Sequence, residues 1–287
     1  MTSPVLRAGA WMMGALASFT TMAICGRELA VDLSTAQIMF WRGVAGMILI
    51  SLMLQYSGWQ QLRTKVLALH GARAVVHFGA QFCWFFAIPL IPLSELFAIE
   101  FTAPIWTALL ASLFLGERLN GPRIAAIGLG FCGAIVIIQP GVVELSLGAM
   151  SALAAAVGFG FAIITVRALA QKDSPLCILF YMTLIQLPMG FALALDEWIW
   201  PDPVVHGPWI VLVGCTAFGA HYCMANAMRL AEATVVATMD FMRLPLIAVV
   251  GYFVYGEALE IWVALGAVFV CAGIYMIVRD ASRREAR

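Results

Sequence analysis

Ten apolar runs, each about as long as one bilayer crossing, leave this 287-residue chain almost no polar sequence from which to build anything else. They fall at about 7–26, 35–56, 71–90, 93–115, 121–138, 146–166, 175–195, 208–230, 232–255 and 258–278. A helix of about 20 mostly apolar residues spans the hydrocarbon core and pairs all of its backbone groups internally, which lipid cannot do for it. Hydrophobic residues make up 63% of the chain and charged residues 11%, so a water-soluble fold would lack the polar surface to cover itself. The pattern predicts an all-α membrane protein of ten transmembrane helices, with the lipid bilayer as its solvent.

Net charge is zero, but the basic residues are not spread evenly. One side of the predicted membrane holds the N-terminus, the loops after spans two, four, six and eight, and the C-terminus. It carries Arg7, Arg63, Lys65, Arg73, Arg118, Arg123, Arg167, Lys172, Arg229, Arg279, Arg283, Arg284 and Arg287, thirteen of the sixteen Lys and Arg residues; the opposite loops hold only Arg27. Short cytoplasmic loops are the basic ones. Both termini are therefore expected in the cytoplasm of a bacterial inner membrane. The first 25 residues have a basic start, an apolar core and a cysteine, as a signal peptide would. Ile24 is too large for the position before a lipidated cysteine, however, and no small-residue cleavage site follows, so they read as the first span. The seven cysteines, Cys25, Cys83, Cys132, Cys177, Cys215, Cys223 and Cys271, lie in or at the ends of apolar runs without a C-x-x-C pair, and read as small core residues. No phosphate loop, metal cluster or nucleophile elbow is recognisable, and neither a cofactor, a metal nor a nucleic-acid partner is expected.

Sliding the chain against itself by 140 residues matches Arg27 with Arg167, Leu29 with Leu169, Ser34 with Ser174, Phe40 with Phe180, Phe78 with Phe218, Gly79 with Gly219 and Cys83 with Cys223. The register continues through Ala87 and Ala227, Glu100 and Asp240, Phe101 and Phe241, and Gly133 and Gly273, and it aligns "LGERL" at 115–119 with "YGEAL" at 255–259. Each repeat, 1–140 and 141–287, thus holds five spans. Five is odd, so the second copy enters the membrane from the opposite face. Such inverted repeats allow two related conformations, each open to one side, by exchange of the shapes of the two halves.

Ten spans, two five-span repeats and a "GExL" after the fourth span of each resemble the drug/metabolite transporter superfamily, specifically its EamA-type members, over about residues 7–278. The resemblance implies a basket of helices around a central cavity, with the fifth and tenth spans at the periphery, and movement of small metabolites by alternating access. Within the superfamily the likeness points to the aromatic-amino-acid exporters, so the implied partner is a small-molecule substrate such as an amino acid.

Four charges stand inside the spans, where each costs about 2.5–3.5 kcal/mol even on lenient scales. Arg42 and Glu100 share a depth, about eight and seven residues in from the outer face, which predicts an ion pair or a shared watery cavity. Asp240 and Arg243, spaced i, i+3, can meet on one helix face. Pro104 and Pro245 each free a carbonyl beside one of the acids and mark candidate hinges. Trp59, Trp198, Trp200 and Trp209 fall at span ends, as headgroup anchors do, whereas Trp41, Trp84 and Trp106 lie deeper and can line a cavity for a flat ligand. His77, Gln81, His221, Tyr222 and Asn226 add polar groups on spans three and eight. With Phe101 beside Glu100, the candidate cavity set is Arg42, His77, Gln81, Trp84, Glu100, Phe101, Trp106, His221, Tyr222, Asn226, Asp240 and Arg243. A secondary carrier exporting amphipathic metabolites is the leading reading. A channel-like facilitator, or a carrier for another metabolite or drug class, fits the same pattern; an intramembrane enzyme would need a catalytic dyad at matched depth, and none is recognisable.

Overall fold

The computed structural model describes residues 4–88, 90–91, 96, 99–116, 120–138, 146–243, 246 and 261–285. Among these, all regular structure is helical: α1 (Pro4–Leu29), α2 (Thr35–Ser57), α3 (Leu67–Ala87), α4 (Ala103–Phe114), α5 (Gly121–Ile138), α6 (Leu147–Ala170), α7 (Pro175–Ala194), α8 (Gly207–Leu230), α9 (Ala233–Met239) and α10 (Ile261–Glu285), with short 3₁₀ turns at Trp59–Leu62, Leu195–Glu197 and Asp240–Met242. The segments at Pro4–Leu29, Thr35–Ser57, Leu147–Ala170, Pro175–Glu197 and Gly207–Leu230 are each long and apolar enough to cross a membrane.

Local chemistry sets several boundaries. Ser34 and Ser174, equivalent in the two repeats, are N-caps: their hydroxyls accept from the backbone N–H of Gln37 (3.4 Å) and Cys177 (3.1 Å), so α2 and α7 start at the same repeat position. Gly58, with φ of +93°, ends α2 in a backbone conformation that side-chain-bearing residues rarely adopt. The fourth span is interrupted at Phe101 and Thr102. Pro104 then falls in the first turn of α4, where its missing N–H costs nothing. The equivalent place in the second half is the 3₁₀ turn at Asp240–Met242. Both acids therefore sit where the α-helix breaks; Pro245 lies outside the described residues.

Packing follows an exchange symmetry. The principal pairs are α1 with α8, α5 with α10, α3 with α6, α2 with α7, α4 with α6, α2 with α8, α3 with α7 and α4 with α9. Sending each helix to its repeat partner maps α1–α8 onto α3–α6, α2–α8 onto α3–α7 and α4–α6 onto a lighter α1–α9 contact, and maps α2–α7, α4–α9 and α5–α10 onto themselves. This is the contact pattern of two five-helix halves related by a pseudo-two-fold axis. Near that axis the equivalent rings Phe101 and Phe241 stack at 5.8 Å with an interplanar angle of 22°. α5 and α10 pack chiefly on each other.

Without a hydrophobic drive between helices in lipid, close approach depends on small residues. A Cβ on Gly214 would stand 2.3 Å from that of Ala45, and one on Gly273 would stand 2.8 Å from the carbonyl oxygen of Ala126, so α8–α2 and α10–α5 close only because these residues are glycine. The outside is apolar, with Leu6, Met13, Ile48, Leu113, Phe114 and Val268 all more than half exposed. That is the surface a bilayer covers. Cys132, Cys215 and Cys271 share this exterior rather than the core.

Candidate functional site

Inside the bundle the polarity is reversed. α3 presents His70, Arg73, His77, Gln81 and Trp84 at helical spacing, all buried. Arg73, His77, Gln81 and Trp84 line an open cavity, bounded further by Phe19 and Met22 of α1, Phe85, Glu100, Ala103, Phe159, Ala162, Ile163 and Val166 of α6, His221 and Met224 of α8, and Asp240 and Arg243.

One end is an acid–base clasp. The Arg243 guanidinium donates to Glu100 Oε1 and to Asp240 Oδ2, the latter at 3.0 Å, while the Trp84 indole N–H donates to Glu100 Oε2 at 2.7 Å. Arg243 also lies 5.3 Å and 5.6 Å from the ring centroids of Phe101 and Phe19, close enough for cation–π attraction. Arg243 therefore joins the two repeats, because Glu100 comes from the first half and Asp240 from the second. The i, i+3 pair Asp240–Arg243 is present as the spacing predicted. The Arg42–Glu100 pair is not. Arg42 instead donates to Gln81 Oε1 at 2.6 Å, and Glu100 is held from the other half. Equal depth fixed only one coordinate, and the azimuth of the helices decided the partner.

The other end is cationic and imidazole-rich. His77 and His221 meet edge to face at 4.9 Å, and Gln186 spans Ala74 O (2.9 Å) and His77 Nδ1 (3.2 Å). A second cavity of about 430 Å³ opens between α2, α7 and α8 and includes Arg42, Gly43, Gly46, Leu179, Met182, Gln186 and His221. His221 faces both spaces. Buried nitrogens at Arg42 Nε and Nη1, Arg73 Nε and Nη1, and His221 Nε2 have no hydrogen-bond partner among the described residues.

Five sequence candidates do not line the main cavity, and one of them, Arg42, lines the second instead. Trp106 packs on Gly160, with its indole N–H 3.2 Å from the Thr102 hydroxyl, and so wedges α4 against α6. Tyr222 stacks on Phe218 and meets Trp11 edge-on. Asn226 returns its amide to the Tyr222 carbonyl at 2.9 Å within α8. Phe101 lies in the axial stack beneath Arg243. Trp41 and Trp198 join Phe40, Phe191 and Trp200 in an aromatic cluster away from the cavity.

Conversely, Arg73 and Arg123 are not loop residues. Arg73 lies in the second turn of α3 and is 2% exposed in the cavity wall; Arg123 is 1% exposed and ion-paired with Glu232. Gln186 of α7 was also missed. The signal for Arg73 was in the sequence, since 73, 77, 81 and 84 form one stripe. A trio of metal-capable donors, His70, Asp173 and Cys177, comes within 4.8 Å where no sequence spacing announced it. It closes on itself: Asp173 Oδ2 accepts from the Thr64 hydroxyl at 2.7 Å and meets His70 Nε2 at 2.8 Å.

The chain is similar to known proteins along nearly its whole length. The chain is 28% identical to a riboflavin transporter of Brucella anthropi over 91% of this chain and 98% of that one. It is 22% identical to an S-adenosylmethionine uptake transporter of Rickettsia prowazekii, over 93% of this chain and 91% of that one. To a pseudopaline exporter of Pseudomonas aeruginosa it is 24% identical, over 97% of this chain and 99% of that one. A crystal structure with 17% sequence identity superposes with a TM-score of 0.81 over 97% of this chain and 98% of the other, which shows the fold. The model of the EamA-like transporter family matches twice, at residues 6–139 and 146–279. Matched along nearly its whole length, the chain belongs to the EamA-like transporter family.

Proposed function

We propose that this protein is a secondary carrier that moves small, flat, amphipathic metabolites across a bacterial inner membrane by alternating access. In this reading residues 1–140 and 141–287 are its two inverted halves, and both termini are cytoplasmic. The observation that carries the reading is the clasp of Arg243 on Glu100 and Asp240: it crosses between the halves, borders the cavity and lies where both acid-bearing helices break. Irregular backbone at membrane depth survives where protein or a watery cavity satisfies it, and broken helices at the repeat interface are where carriers bind substrate. Pro104 acts as a hinge in this account.

Aromatic amino acids, the substrates implied by the family likeness, carry rings that the aromatic walls of the cavity would contact. The relatives widen the class, since their substrates are riboflavin, S-adenosylmethionine and pseudopaline, and they include both uptake and export. What these share with an aromatic amino acid is a polar metabolite larger than a simple ion, which a cavity with rings at one end and unpartnered donors at the other can hold. Export of amino acids is thus one case of the proposed chemistry.

The orientation rests on the basic-residue count and is testable without knowing the substrate. A reporter active only in the cytoplasm should work when fused after Arg287 or within residues 63–70, and should fail within 196–207, which contains no Lys or Arg. A cytoplasmic signal from 196–207 would remove the inversion of the second half, and alternating access by exchange of halves with it.

A further inference from the structure

Glu100 and Asp240 are both committed to Arg243, which leaves Arg42 and Arg73 without a carboxylate partner among the described residues. Arg42 is 5% exposed and, among the described residues, bonds a neutral amide; Arg73 is 2% exposed, and its buried Nε and Nη1 find no hydrogen-bond partner among the described residues. A guanidinium cannot shed its charge to escape burial, and a buried unpaired cation is costly. Packing among the described residues explains neither Arg73 in the ring-lined cavity nor Arg42 in the adjoining one. Structural arginines in such a place are paired, as Arg123 is with Glu232 in this same chain.

We infer that the substrate is an organic anion, a flat ring bearing a carboxylate or phosphate, and that Arg73, assisted by Arg42 through Gln81 and the adjoining space, supplies its counter-charge. This rests on the carrier reading above and names its substrate class. The Arg fork matches the paired oxygens of carboxylate or phosphate. Phe19, Trp84 and Phe159 wall the same cavity and give the ring its apolar contacts. The unpartnered His221 Nε2 faces both cavities and offers a further polar contact between the ring compartment and Arg42. Arg243 is excluded from this role because its charge is already over-matched by two acids.

The test uses the purified full-length protein in detergent and two sets of probes that share a ring and differ in charge. Indole-3-acetate is compared with indole-3-acetamide and tryptamine, and riboflavin 5′-phosphate with riboflavin. Apparent affinity is read from ligand-induced shifts of the unfolding midpoint. The anion of at least one set should bind about tenfold or more tightly than its neutral counterpart, as charge-assisted bonds require. Arg73→Gln should flatten that ratio towards one, and Arg73→Lys, which keeps the charge but not the fork, should retain part of it. If Arg73→Gln does not fold, Arg42→Gln provides the same readout, with a smaller expected reduction. A preference for carboxylate over phosphate, or the reverse, tells which anion the site takes. Neutral probes binding as tightly as anions, a ratio unchanged by Arg73→Gln, or no binding of any probe would each overturn the inference. Counterflow of neutral riboflavin with no preference for charge would leave the carrier reading standing, so the two failures are distinguishable.

Discussion

Replacing Arg243 by methionine should be the most destabilising single change in the cavity. The guanidinium is the common partner of Glu100 and Asp240, and its loss strands two neighbouring carboxylates inside the bundle. Breaking a buried pair by removing one member costs about 3–5 kcal/mol, and here two acids lose their cation together. Glu100→Gln should cost less, because Arg243 keeps Asp240 and the Trp84 indole can still donate to the amide oxygen. A double-mutant cycle between 100 and 243, followed by thermal unfolding in detergent, should show a coupling of about 0.5–3 kcal/mol. The cycle between 100 and 42 should be close to additive, because Arg42 bonds Gln81 and not Glu100. Strong coupling of 42 with 100 and none of 243 with 100 would mean the clasp is wrongly assigned.

Trp84 is the second site where a large effect is expected, because one side chain does two jobs. Its ring walls the cavity, and its N–H bonds the acid that ties the two halves together. Trp84→Ala removes both, and large-to-small changes of this type cost about 3–5 kcal/mol. Transport of a ring-bearing substrate should fall at least about tenfold per folded molecule, more than transport of alanine does, since ring contact acts on one and not the other. Trp84→Phe keeps a ring and drops the donor, which costs about 1–3 kcal/mol if Glu100 loses a partner, so it should lie between. Trp106→Ala should weaken α4–α6 packing without discriminating between substrates. The comparison is of initial uptake rates for tryptophan or riboflavin against alanine, normalised to protein in the membrane. Equal proportional losses at Trp84 for large and small substrates would remove it from the substrate path.

The architecture was legible because lipid imposes one demand on every span. Span number, repeat offset and the i, i+3 pair on the ninth span all follow from one-dimensional spacing. What spacing could not give was the rotation of each helix about its own axis. Glu100 and Arg42 agree in depth, yet Glu100 faces Arg243 across the axis. Tyr222 and Asn226 share a helical face with each other, but it is the face turned from the cavity. Trp106 is deep in the membrane and still faces a neighbouring helix. Arg73 was hidden for a different reason. Counting charges by loop assigned it to the cytoplasmic edge, whereas α3 begins at Leu67, four residues before the apolar run, and draws Arg73 inside. A polar stripe at 73, 77, 81 and 84 on an otherwise apolar helix is the sequence mark of a wall facing water.

The most direct measurement of the central claim is counterflow in proteoliposomes. Vesicles carrying the full-length protein are loaded with labelled indole-3-acetate, riboflavin or tryptophan, and efflux is followed with and without the same unlabelled compound outside. A carrier that must reorient between two occluding states is returned faster when loaded, so external compound should accelerate labelled efflux for at least one of the three, and Arg243→Met should abolish the acceleration. Efflux of all three that is indifferent to external compound, at a rate proportional to the gradient, would describe an open pore and contradict alternating access through this cavity.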